Sequence, residues 1–159
     1  MNHTEQLLKN LKETSAFLKE ISVVEEEKFQ AAMKNHILVI EDCIKKEQAL
    51  LLRSKGLEMK REQLQKAMGA EHMTLRQIIE AAAPEEKAPL QAAFDELTAN
   101  IKTYQSIHQR AKTAIEVNLH RINKELEKMT GSPLGGVNVG YADNGEKLQK
   151  PKPFTSRKI

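Results

Sequence analysis

Leu90, Phe94, Leu97, Ile101, Tyr104, His108, Ala111, Ile115, Asn118, Ile122 and Met129 follow one another at steps of three and four, with one step skipped before Met129. Only a helix keeps side chains at that spacing on one side of the backbone, so the spacing predicts a single helix over residues 84–129. Pro84 suits its first position, and Glu85 and Glu86 suit its positive end. At a rise of 1.5 Å per residue such a helix is roughly 70 Å long. A chain that must accommodate it folds as an elongated all-α bundle.

The rest of the sequence agrees. No proline occurs between Thr4 and Ala83, and only Gly56 and Gly69 interrupt that run. Leu7, Leu11, Leu18 and Ile21 mark a first helix over about 4–33, with Phe17, Val24 and Phe29 widening its stripe as a bundle helix requires. Asn35 can cap a second helix over about 36–68, although a helix running straight through this point is an alternative. Ile37, Ile40, Ile44, Leu51, Leu57, Leu64 and Met68 are its expected inner face, and Gly69 suits the left-handed residue that ends it. Gly56 marks either a bend or a close helix contact. Thr74 and Gln77 have the spacing of a capping box and open a short helix over 74–83.

The expected fold is therefore an elongated antiparallel helical bundle of three long helices plus one short helix, over residues 1–129. Helices one and two would reach about 45–50 Å, so the last helix overhangs them at one end. Residues 130–159 hold five of the seven glycines and three of the five prolines. A segment so poor in apolar surface does not offset its ordering entropy, and a disordered tail is expected there.

Charge separates the same two regions. Residues 130–159 carry five bases against two acids, which leaves 20 bases and 20 acids in the body. A balanced body lacks the basic face of a nucleic-acid binder, and no nucleic-acid partner is expected. Cys43 is the only cysteine, which excludes an intramolecular disulfide and a multi-cysteine zinc site. The start MNHTEQLLKN lacks the basic and apolar regions of a signal peptide, and no apolar run approaches the ~20 residues of a membrane span. The expected location is the cytosol.

No catalytic constellation emerges. None of His3, His36, His72, His108 and His120 follows a glutamate by three positions, as di-iron bundles require. No phosphate-binding glycine motif is present. The expectation is a protein with no cofactor, no metal and no enzymatic activity. His108 and Asn118 interrupt the apolar seam, either setting register or facing solvent. The EEEK run at 25–28 reads as a solvated face.

Three stretches together resemble the FlgN family of flagellar type III export chaperones. They are LLKNLKETSAFLKEISVVEEEKFQAAM (7–33), IEDCIKKEQALLLRSKGLEMKREQL (40–64), and the glycine-flanked tyrosine GYADNG (140–145) before a short basic terminus, FTSRKI. The resemblance implies a cytosolic chaperone that binds helical terminal segments of hook-associated proteins, the hook–filament junction proteins. It would prevent their premature assembly and deliver them to the cytoplasmic part of the export gate. The family's binding region, carried onto this sequence, implies Leu119, Ile122, Leu126 and Met129, then Leu134, Val137, Val139 and Tyr141. The glycine-rich GSPLGGVNVG departs from a long continuous helix past Met129. Independently of the family, an overhanging amphipathic helix followed by a tail that orders on contact suits an adaptable binding protein. The alternative is a coiled-coil adaptor or self-associating structural protein, dimerised along Leu97 to Ile122. The oligomeric state expected of the chaperone is a monomer or weak dimer.

Overall fold

The computed structural model describes residues 2–131, all of the secondary structure in them being helical. Four helices follow in order: α1 (His3–Met33), α2 (Ile37–Ala67), α3 (Leu75–Ala81) and α4 (Pro84–Thr130). Three are long and one is short, as the periodicity predicts. The disorder expected of the tail concerns residues that lie outside those described, apart from the end of α4 and Gly131.

Each boundary has a local cause. Asn2 opens α1 with a capping box that the sequence reading missed, Glu5 N–H donating to Asn2 Oδ1 at 2.7 Å and Asn2 N–H to Glu5 Oε2 at 3.0 Å. Thr74 and Gln77 form the expected box at α3. Asn35 is not the cap of α2. Its φ of 56° places it in the left-handed region, where His36 N–H reaches the Ala31 carbonyl at 2.9 Å and Asn35 N–H reaches that of Ala32 at 3.3 Å. Those two bonds close α1 in a Schellman motif, and asparagine tolerates the conformation that they require. Gly69 ends α2 in the same way, with φ 69° and Ala70 N–H on the Gln65 carbonyl.

α1 is the central element, packed against both α2 and α4, while α2 and α4 bring no Cα atoms within 8 Å of each other. Lys60–Glu13 (3.5 Å) and Arg53–Glu20 (2.7 Å) show α2 running antiparallel to α1. Lys19–Glu96 (3.0 Å) and the Asn118 amide on the Ala32 carbonyl show α4 running parallel to α1. The order is up, down, up, with α3 packed on α4 where the chain reverses the second time.

The buried stripe of α2 differs from the expected one. Ile37 and Leu51 are exposed, whereas Cys43, Ser54, Arg61, Leu64 and Gln65 are buried, with Leu50, Leu57 and Met68 half-buried against the core. α2 packs along α1 alone at the level of the backbone and buries a narrow face, in which polar groups take part. Asn10 donates to the Leu57 carbonyl at 3.1 Å, and Gln65 donates to the Met73 carbonyl at 3.0 Å. Gly56 marks no close helix contact, since a Cβ there would meet nothing within 4 Å.

The apolar core gathers at the end of the bundle that α3 closes. Leu7, Leu11, Phe17, Leu75, Ile79 and Leu90 are each almost wholly inaccessible there. It fades toward the α1–α2 turn, where the last buried residue of α4 is Ile115.

Candidate functional site

The site follows from a difference in length. α4 has 47 residues against 31 in each of α1 and α2, and Asn118 lies level with the end of α1. From Leu119 to Thr130 the helix therefore projects about 18 Å past the turn. Gly131, at φ 67°, ends it with its N–H on the Glu127 carbonyl. Ile115, Leu119, Ile122, Leu126 and Met129 continue along this projection at alternating steps of four and three. Leu119, Ile122 and Leu126 are half-buried, and Met129 is 82% exposed. Leu134, Val137, Val139 and Tyr141 lie outside the described residues.

The root of the projection carries more exposed apolar surface, which the sequence reading did not find. Val23, Met33, Ile37, Leu38 and Val39 are exposed around the α1–α2 turn, Leu38 to 80%, beside Val117 of α4 at 51%. The ILVI run at 37–40 carried the signal. Four consecutive apolar residues in a helix point all round it, and a helix with one neighbour cannot bury them all.

Below the turn, charges replace the apolar core. Glu25 is fully buried and pairs with Lys28 at 3.2 Å, and Lys28 also pairs with Glu47 of α2. His108 Nδ1 of α4 stands 3.2 Å from Glu25 Oε2. The expectation of a solvated EEEK face is thus overturned for Glu25 and Lys28. Three helices converge on them, and each finds its partner on another turn or another helix. His108 stacks on Tyr104 with ring centroids 5.6 Å apart, and burial, reinforced by the Glu25 charge, pushes the Tyr104 phenol up to about 12. It is a neutral hydroxyl at physiological pH. Burial likewise raises the Cys43 thiol, with Glu27 adding to the effect.

Glu25, Glu47 and His108 bring one ligand atom each within 4.8 Å of one another, a grouping that could hold a metal ion. The search for histidine spacing within one helix could not find a grouping spread over three. The Lys28 ammonium contacts both carboxylates, however, and supplies the positive charge that they require. The cluster acts as an inter-helix ion network. The Asn118 amide on the Ala32 carbonyl ties α4 to the end of α1, whereas His108 Nδ1 lies beside Glu25 Oε2 without a hydrogen bond between them.

No helix of the described residues is long and apolar enough to cross a membrane. The described residues form a helical bundle closed at one end by α3, with exposed apolar side chains at the other and an amphipathic helix that extends past it. A family model described as FlgN protein matches residues 1–149, and the chain belongs to the FlgN family of flagellar export chaperones. That family comprises chaperones and not enzymes, and a general role in flagellar export follows from membership. No curated protein and no solved structure gives a significant match.

Proposed function

We propose that this chain is a cytoplasmic chaperone for hook-associated proteins. It binds helical terminal segments of those proteins, holds them from premature assembly and passes them to the cytoplasmic part of the export gate. The observation that supports the reading is the projecting last quarter of α4. Its apolar stripe, Leu119, Ile122, Leu126 and Met129, keeps helical spacing past the point where α1 and α2 end. Such a stripe accepts one further helix, by the seam that a coiled coil uses. Leu134, Val137, Val139 and Tyr141 extend the contact beyond the helix.

The test is co-expression with the terminal segment of a hook–filament junction protein. Wild-type chain co-purifies with it, and Ile122→Asp with Leu126→Asp abolishes the capture while leaving helicity intact. Failure of wild type to co-purify, together with normal secretion after deletion of residues 130–159, sinks the reading.

The coiled-coil adaptor alternative loses most of its seam. Leu97, Tyr104, Ala111 and Ile115 are buried within the chain itself, so the Leu97–Ile122 face is not free to dimerise. Only the projecting turns remain for a second copy. A stable dimer in light scattering that the Ile122→Asp, Leu126→Asp variant converts to monomer would restore that alternative.

A further inference from the structure

A groove of about 640 Å³ runs between α1 and α4 at the root of the projection. Phe29 and Met33 of α1 and Ala114 and Val117 of α4 line its apolar middle, Met33 and Val117 being 62% and 51% exposed. Arg110 and Arg121 bracket that middle on α4, and among the described residues no acidic side chain lines the groove. Both arginines are exposed, and neither forms an ion pair among the described residues. Arg110 lies over the Phe29 ring, 4.5 Å from its centroid. A guanidinium stacked on a ring keeps its N–H edge free for a carboxylate.

The charges and the apolar residues keep one rhythm. Residues 110, 114, 117 and 121 advance by four, three and four, so they share one face of α4. The two arginines are then about 16 Å apart along the axis. A partner that satisfies both must place two carboxylates about 16 Å apart on one side, with apolar side chains between them. A helix does this with acids at positions i and i+11, about three turns apart, and apolar residues at i+4 and i+7. An extended strand does not, because about five residues span that distance and put the two side chains on opposite faces. The groove thus selects a helix over a strand, and an acidic helix over a basic one.

We propose that this groove binds a partner's amphipathic helix whose apolar stripe is bracketed by two carboxylates at positions i and i+11. The proposal rests on the partner-binding reading above and adds the chemistry of the segment that is bound. Arg121 lies past Asn118, within the projecting turns, so a helix longer than the groove runs on beside them. The arginines also repel a helix with basic residues at the same two positions, which gives the groove a means of choosing among partners.

The test uses the full-length chain and labelled synthetic helical peptides that contain no hook–filament junction sequence, with binding read by fluorescence anisotropy. One peptide carries glutamates at i and i+11 and leucines at i+4 and i+7. A second replaces both glutamates by glutamine, and a third keeps the composition but sets the glutamates side by side. The first is expected to bind at least about fivefold more tightly than either of the others. Arg110→Glu with Arg121→Glu removes that preference, with circular dichroism confirming unchanged helicity. A peptide with lysines at the two acidic positions then binds the double variant at least about fivefold more tightly than it binds wild type. Equal binding of the first three peptides to wild type, or a preference unchanged in the double variant, overturns the proposal. So does a wild-type dimer in light scattering that the double variant converts to monomer, because a second copy of the chain would then be the occupant. The peptides are not cargo, so their result stands apart from the chaperone reading. Capture of a junction-protein segment that the double variant leaves unchanged overturns the groove assignment and leaves that reading in place.

Discussion

The two ends of the bundle are built from opposite materials. At the α3 end, Leu7, Leu11, Leu75, Ile79 and Leu90 interlock in an apolar core, and α3 closes it. At the turn end, the interior holds Glu25 and Lys28, flanked by the half-buried Glu47 and His108, and the apolar residues Met33, Ile37, Leu38 and Val117 are exposed. Apolar burial stabilises without direction, whereas an ion network holds one arrangement and contributes little net stability. The difference teaches that packed and exposed apolar surface are separated along the axis. The α3 end holds most of the apolar core, and the turn end leaves apolar surface exposed.

The largest expected effect comes from breaking the ion network. Lys28→Ala leaves Glu25 buried without its cation and should cost about 3–5 kcal/mol in urea unfolding. Replacing Glu25, Lys28 and Glu47 together by apolar residues of similar size should cost far less, because no orphan charge remains. A Lys28→Ala variant within about 1 kcal/mol of wild type would mean that Glu25 is relieved by solvent, and the contrast between the ends would weaken.

Next in size is a matched pair of leucine truncations, one at each end. Leu11→Ala empties a site at 1% exposure and should cost about 2–5 kcal/mol. Leu126→Ala removes a half-buried side chain from the projection and should cost no more than about 1 kcal/mol, while weakening capture of the cargo segment. Equal destabilisation by the two, measured by urea unfolding, would make the projection part of the core.

The same contrast explains what the sequence discloses. The seam of α4 is legible because an apolar stripe against α1 repeats without a frame shift, and its surplus length over α1 already implies the projection. Thr74 and Gln77 are legible because both halves of the box lie within four residues. The face of α2 is hidden because its buried stripe runs through Cys43, Ser54, Arg61 and Gln65, while the more hydrophobic Ile37 and Leu51 lie outside it. Hydrophobicity identifies a buried face only where burial is apolar. The ion network is hidden for a second reason: Glu25, Glu47 and His108 meet only after three helices have packed, and no spacing within one helix encodes that meeting. At the candidate site, Leu119 to Met129 follow from periodicity, whereas the apolar turn needed the knowledge that α2 brings no Cα within 8 Å of α4 and packs along α1.

The smallest effect has the opposite sign and falls between the two ends. Gly56 sits inside α2, exposed, with open space where a Cβ would go and no left-handed φ. Glycine in a helix interior loses more backbone entropy on folding than alanine does. Gly56→Ala should therefore stabilise the chain by about 0.5–1 kcal/mol, seen as a raised urea midpoint with an unchanged slope. Were the glycine there to let a partner approach α2, the same variant would leave stability raised but reduce cargo capture. Stability raised with capture unchanged confines the binding surface to the turn end and the projection, and a fall in capture would extend that surface down α2.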